Sequence, residues 1–261
     1  MLTEGAILIL QAKEILADMH THTVFSLHAH STVLENMNAA KSRGLKFLAV
    51  TDHFYQDGTN LNQKNEMTRI RHLEETVNGF DELYVFSSAE FNIGQNISRR
   101  HQLDGLRWRP IGLHAWFVDR KHLTLAQLLQ MFDESAGWHN AFVHIEREID
   151  KLDHNRHGKN LDDEVKNFFA EMVTLAKEKD IWLEVNESSI RRNSGGDGDR
   201  LRYWIKLARD NGNKIYLGTD AHFALRVGDF KFSLELLNAV DYPKNLILNC
   251  DYEKLAALRS I

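Results

Sequence analysis

In 261 residues there is a single cysteine, Cys250. No intramolecular disulfide can form and a thiolate zinc cluster is excluded, so any metal must be held by nitrogen and oxygen donors. Proline is equally scarce: Pro110 and Pro243 are the only two, and no low-complexity tract marks a linker. No apolar run approaches the roughly 20 residues of a membrane span. The N-terminal stretch MLTEGAILILQAKEILADM lacks a basic lead and a small-residue cleavage signal, so a soluble cytoplasmic protein is expected. Positive charge is also lacking. The net charge is -5 with the histidines neutral, which argues against a nucleic-acid partner that would need a basic stripe.

What is present is a hydrophobic share of 43%, spread along the whole length and sufficient for a sizeable core. Apolar runs rich in β-branched and aromatic residues alternate with amphipathic stretches of helical period, the pattern of repeated βα units. Strands are expected near Ile15 to His20, Leu45 to Thr51, Leu83 to Phe91, Pro110 to Phe117, Ala141 to Ile145, Ile181 to Asn186 and Lys214 to Thr219. Helices are expected over Thr32 to Arg43, Asn65 to Val77, Thr124 to Ala136, Leu161 to Lys179, Arg200 to Asn211, Leu234 to Val240 and Tyr252 to Ser260. Gly44, Gly79, Gly137 and Gly212 follow helix ends, where a left-handed residue is favoured. Seven βα units without a break suggest one α/β domain over residues 1–261, closed or nearly closed into a barrel rather than an open sheet. Residues 1–14 read as an extra helix, an extra strand or a packing arm.

The stretch ADMHTHTVFSLHAH, Ala17 to His30, sets four histidines at the end of the first expected strand. His20 and His22 are two apart, the spacing that puts both rings on one face of a strand. A lone His-x-His is more often incidental, but the later strand ends return the same chemistry. In a parallel barrel the site forms at the C-terminal ends of the strands. There the chain offers His53 after the second strand, Glu90 at the third, His114 at the fourth, His144 at the fifth, and Asp220 and His222 after the seventh. With His28 these make nine candidate ligands, too many for one ion and enough for two or three. Mixed nitrogen and oxygen donors suit divalent Zn, Mn or Fe. His30, His72, His101, His122 and His139 have no strand-end placement and read as structural, and His154 and His157 as solvated loop residues.

These residues resemble the polymerase and histidinol phosphatase (PHP) superfamily, nearest to its small stand-alone phosphatases. The resemblance lies in Asp18-x-His20-x-His22, His28, Thr51-Asp52-His53, Gly112-x-His114 and Gly218-Thr219-Asp220-x-His222, in family order from about Asp18 to the C-terminus. It implies a distorted seven-stranded βα barrel with a trinuclear metal centre that hydrolyses phosphate esters, all nine ligand positions being filled here. It further implies that His20, His22, Glu90 and Asp220 share one ion. Glu90 would bridge to a second ion on His114 and His144, and His28, His53 and His222 would hold a third. One departure is visible: His144 is followed by Ile-Glu-Arg-Glu where these phosphatases often carry Pro-Gly, which bears on the substrate pocket.

Clustered divalent ions acidify bound water from a pKa near 15.7 to about 7 and neutralise phosphoryl oxygens, so a metal-bridging hydroxide would attack a small-molecule phosphate monoester in line. Glu90, Asp220 and His222 would act through that hydroxide. Asp18 and Asp52 lie beside ligands and read as partners for imidazole N–H groups, or as caps of the adjacent turns. Arg147, Arg191, Arg192 and Arg226 are candidate phosphate contacts, since guanidinium matches phosphate as a bidentate donor. The glycine-rich NESSIRRNSGGDGD segment reads as a mobile loop and lacks the Gly-Lys-Ser/Thr ending of a P-loop. A metal-dependent nuclease or phosphodiesterase would use the same cluster but calls for a basic groove. An amidohydrolase would commonly add a metal-bridging lysine, which no strand end offers. A non-catalytic scaffold would be expected to lose ligands. A homo-oligomer stays open on sequence grounds.

Overall fold

The computed structural model describes residues 9–54, 60–78, 82–94, 105–114, 123–152, 161–193 and 198–260. Its strands are β1 (Ala17–Thr21), β2 (Phe47–Val50), β3 (Tyr84–Ser87), β4 (Phe91–Asn92), β5 (Pro110–Gly112), β6 (Ala141–Phe142), β7 (Trp182–Asn186) and β8 (Ile215–Gly218). The helices are α1 (Val33–Ser42), α2 (Asn60–Val77), α3 (Leu125–Ser135), α4 (Ile145–Leu152), α5 (Asp163–Glu178), α6 (Glu187–Asn193), α7 (Gly198–Asp210), α8 (Lys231–Ala239) and α9 (Tyr252–Ala257).

All strand pairing is parallel, in a three-stranded sheet β1-β2-β3 and a five-stranded sheet β4-β5-β6-β7-β8. This corrects the expectation of seven strands in one ladder. The third expected strand breaks between Ser87 and Phe91, leaving β3 in one sheet and β4 in the other. Single parallel bridges span the break and the seam: His53 to Glu90, Ser88 to Trp108, and Thr21 to Ala221. Two unpredicted helices, α4 and α6, begin where loops were expected after His144 and Asn186. α6 starts directly at the end of β7 and α4 two residues past β6, with no glycine or proline between to signal a turn.

The strands are buried on both faces, as parallel strands covered by helices must be. Alternate residues feed two separate cores. Leu48, Val50, Val85, Leu183, Val185, Ile215 and Leu217 pack outward with α1, α3, α5 and α7 residues such as Phe132, Phe169 and Trp204. Ala17, Met19, Phe47, Phe86, Trp108, Trp182 and Tyr216 pack among themselves and with Leu248, Leu255 and Leu258 of the C-terminal segment. Inside that second core the Trp108 indole N–H donates to the Met19 carbonyl at 3.0 Å.

Capping chemistry sets several boundaries. Thr32 and Glu35 form a reciprocal capping box at α1, as Thr124 and Gln127 do at α3, and Asp162 accepts from the Val165 N–H to open α5. At the N-terminus the arm alternative holds for the described part: Leu10 is buried, its N–H and carbonyl both bonded to the Asn238 amide of α8. Opposite, Asn249 stitches β1 to β8. Its side chain accepts from Leu217 N–H at 2.6 Å and donates to the Leu217 and Ala17 carbonyls, while its own carbonyl accepts from Leu16. His101, His122, His154, His157, Gly79, Gly195, Gly196 and the 115–117 end of the fourth expected strand lie outside the described residues.

Candidate metal centre

Glu90 occupies the middle of the site, 1% exposed, aligned beside His53 by the bridge across the broken strand. Its two oxygens face different groups. Oε1 lies 3.1 Å from the Nε2 of both His114 and His144. Oε2 lies 3.0 Å from His53 Nδ1 and 3.5 Å from the Nε2 of both His20 and His22. Asp220 closes the first side, its Oδ1 3.3 Å from His22 Nε2 and 3.8 Å from His20 Nε2. The rings of His28, His53 and His222 gather on the other side, His28 at 5.1 Å from His53 and 4.6 Å from His222, centroid to centroid. All nine expected ligands therefore converge. The protein interior encloses His20 and His22, whereas His28 is exposed and His222 is 27% exposed, so the cluster opens on the His28 side.

The first side is built for a cation. His20 Nε2 and His22 Nε2 stand 3.0 Å apart. The other nitrogen of each ring is already committed. His20 Nδ1 is 2.7 Å from the Glu184 carboxylate, which can only accept, so Nδ1 donates. His22 Nδ1 is 3.0 Å from Ser26 Oγ, whose hydroxyl proton goes to Asp52 Oδ1 at 2.6 Å, so Ser26 accepts from His22. Two Nε2 lone pairs are left aimed at one point, and they require a proton or a metal ion between them. The separations among His20, His22, Glu90 and Asp220 just given fall around the roughly 3.3 Å edge of a tetrahedron with Zn–N bonds near 2.05 Å. Three overlapping groups have all donor atoms within 4.8 Å of one another: His20, His22, Asp220; His53, Glu90, His114; and His22, His53, His222.

Electrostatics follow from this crowding. Burial alone would raise the Glu90 carboxyl, but His114, His53 and His20 hold it well below its ordinary range. Asp220 is likewise held low against burial by His22, His20 and Arg147. Burial pulls His20 down, yet Glu184 and Glu90 drive it above its ordinary value, while burial takes His22 to about 3. Backbone geometry is equally constrained: His144 and Asp220 adopt φ of 32° and 52°, a region L-residues rarely enter and which concentrates at functional sites.

Asp18 and Asp52 do not reach an imidazole N–H. Asp18 accepts from Thr219 N and Oγ1, Gly228 N and His20 N, tying β1 to the β8 exit. Asp52 accepts from Thr23 N and Oγ1, Ser26 Oγ and Arg69, and acts on His22 only through Ser26. The cap alternative describes both, because a carboxylate between two loops is better satisfied by converging N–H groups than by one ring. The carboxylate that does take an imidazole N–H is Glu184, which sequence reasoning missed. Its signal was the alternation in Trp182-Leu-Glu-Val-Asn186, which turns an acidic residue inward from a strand otherwise without a ligand.

Of the four arginines, two reach the cluster. Arg147 Nη1 lies 2.7 Å from Asp220 Oδ2, and Arg192 Nη2 lies 4.0 Å from the same oxygen and 2.8 Å from Ser188 Oγ. Arg191, beside Arg192 on α6, is half-buried. Arg226 is turned away into an exposed pair with Asp229 at 3.1 Å. The Ile-Glu-Arg-Glu departure after His144 thus opens α4 and carries Arg147 inward. It also buries Glu146, whose carboxyl is pushed up to about 7 by burial. His30 is exposed, and His139 is buried against Phe91 and Trp138, its Nδ1 3.2 Å from the Arg109 carbonyl, a structural role as expected.

No family model matches the chain. A probable phosphatase of Clostridium acetobutylicum is 26% identical over 249 residues, 92% of each chain. The probable phosphatase YcdX of Escherichia coli is 28% identical over 242 residues, 91% of each. Among solved structures, the fold matches a Lactococcus lactis histidinol phosphate phosphatase complexed with Zn, L-histidinol and phosphate. The TM-score is 0.57 at 17% identity, over 87% of this chain and 94% of that one. A chain of an archaeal ribonuclease P matches with a TM-score of 0.54 at 13% identity, over 94% and 90%. The chain is thus similar to these probable phosphatases over nine-tenths of its length and shares the α/β fold of the histidinol phosphate phosphatase.

Proposed function

We propose that this protein is a metal-dependent phosphatase that hydrolyses a small-molecule phosphate monoester at a cluster of two to three divalent ions, Zn, Mn or Fe. The observation that carries the reading is the pair of facing Nε2 lone pairs of His20 and His22, set with Glu90 and Asp220 at tetrahedral edge lengths. Its similarity to probable phosphatases over nine-tenths of its length, and its PHP-like motifs, support a hydrolase. We read its two sheets, joined by single bridges at the break and the seam, as one distorted seven-stranded barrel forming a single domain.

His20, His22, Glu90 and Asp220 would hold one ion, Glu90 with His114 and His144 a second, and His28, His53 and His222 a third. Bound there, the ions would supply acidified water and neutralise phosphoryl charge. The chain's own residues do the rest. The two Glu90 oxygens, facing opposite groups, fix the spacing between neighbouring ions. Arg147 and Arg192, both beside Asp220, present guanidinium N–H groups at the cluster's edge, where phosphate oxygens would replace their present partners. The buried interior around His20 and Glu90 keeps bulk water from that side, so the ester enters from the side of His28 and His222.

Metal analysis of the purified protein, joined to hydrolysis of an aryl phosphate with and without chelator, tests the reading. At least two ions per chain at saturation and chelator-sensitive turnover are expected. Fewer than two ions, or full activity after chelation, refutes it. Phosphodiesters and amides in the same assay separate the monoesterase from nuclease and amidohydrolase chemistry.

A further inference from the structure

We infer that Glu184 is a positioning residue that clamps two of the candidate ion sites together, a role that rests on the metal-dependent reading above. Glu184 lies on β7, the strand that supplies no ligand of its own, and its side chain is fully buried. Each oxygen serves a different histidine. Oε1 accepts from His20 Nδ1 at 2.7 Å, and Oε2 accepts from the backbone N–H of His144 at 2.8 Å. Among the described residues these two are its hydrogen bonds.

The first bond decides chemistry. By holding the proton on His20 Nδ1, Glu184 leaves Nε2 as the lone pair aimed at His22, Glu90 and Asp220, and it fixes the plane of the ring. The second bond decides backbone. His144 has φ of 32°, and the Oε2 acceptor holds its peptide N–H in that rarely used conformation, from which the ring reaches Glu90 Oε1 at 3.1 Å. One carboxylate therefore orients a donor on each side of Glu90. The fold makes room for it at Gly218, where a Cβ would stand 2.2 Å from Glu184 Oε1 and 2.4 Å from His20 Cβ. The trio His28, His53 and His222 lies beyond its reach.

Two variants test the clamp. In Glu184→Gln the volume stays, but the amide NH₂ must face either His20 Nδ1–H or the His144 N–H, so one bond becomes a donor clash. In Glu184→Ala both bonds go. Zinc affinity and stoichiometry would be measured by titration of the chelated proteins, and melting temperature with and without zinc. Expected are a 10- to 100-fold weaker zinc affinity for the Gln variant and loss of at least one ion at saturation for the Ala variant. The zinc-induced rise in melting temperature should shrink in both. A merely structural glutamate would lower both melting temperatures equally and leave that rise and the affinity unchanged, an outcome that overturns the inference. Should the Ala variant fail to fold, the Gln variant decides alone. Failure of the wild-type chain to bind zinc, manganese or iron would refute the metal-dependent reading, whereas wild-type zinc binding in both variants would refute only the clamp.

Discussion

Replacing Gly218 by alanine adds one methyl group at the most crowded point of the site. The added Cβ would meet Glu184 Oε1 at 2.2 Å and His20 Cβ at 2.4 Å, against the 3.0 Å floor of real Cβ contacts. Neither neighbour has free space, since both side chains are fully buried. Opening the first contact to that floor moves the carboxylate by about 0.8 Å, the difference of the two values, enough to stretch its 2.7 Å bond to His20 to the edge of hydrogen-bond range. Overpacking of this kind costs about 1–3 kcal/mol. At roughly 2–4 °C per kcal/mol for a chain of this size, the melting temperature should fall by roughly 2–12 °C. Metal affinity should fall about 10- to 100-fold, as when a partner of a ligating histidine is lost. Calorimetry with chelator and then with zinc reads both effects. Gly137→Ala serves as control, because a Cβ there meets nothing within 4 Å. A Gly218→Ala protein with wild-type melting and wild-type zinc affinity would refute the packing and the hydrogen-bond argument together.

Further outcomes are expected elsewhere. Glu90→Ala should remove two ions per chain in metal analysis, since each oxygen faces its own group of histidines; loss of one alone would argue against bridging. Arg147→Ala should raise KM for an aryl phosphate about tenfold or more, while Arg226→Ala, already paired with Asp229, should leave it unchanged; equal effects would displace Arg147 from phosphate binding. Burial pushes the Cys250 thiol up to about 12, so it is almost wholly protonated at pH 8. Its disulfide exchange with an aromatic disulfide there should run on the order of 1,000-fold slower than free cysteine, and rise tenfold per pH unit towards 12. Rapid labelling of the folded protein at pH 8 would contradict that.

The candidate ligand set was legible because it obeys a rule of placement: the histidines and carboxylates that converge stand at strand ends, and strand ends can be read from apolar runs. What was not legible depends on contacts between distant segments. The break at Ser88 to Glu90 lies in the stretch LYVFSSAEF, where the small polar residues mark no turn, and the transfer of pairing from β2 to β5 is what divides it. Helices α4 and α6 are eight and seven residues long; α6 starts flush with β7, and the apolar period of α4, Ile145, Ile149 and Leu152, covers only two turns, too short to separate a helix from the end of the preceding strand. Asp18 and Asp52 drew attention by proximity to ligands along the chain, whereas Glu184 is 164 residues from His20 and touches it. Sequence neighbourhood suggested partners that spatial neighbourhood reassigned.

The stitch made by Asn249 has a temporal consequence. A chain emerging from the ribosome presents His20 and His22 first and Asp220 and His222 some 200 residues later, and the residue that locks β1 beside β8 comes later still. Until Asn249 arrives, the earliest and latest candidate donors are held in register by the backbone bonds at the seam and by Asp18 on Thr219 and Gly228. On the metal-dependent reading, loading is therefore completed only once Asn249 has been made, and a nascent protein stalled before it would carry all nine candidate donors without the side chain that stitches β1 to β8.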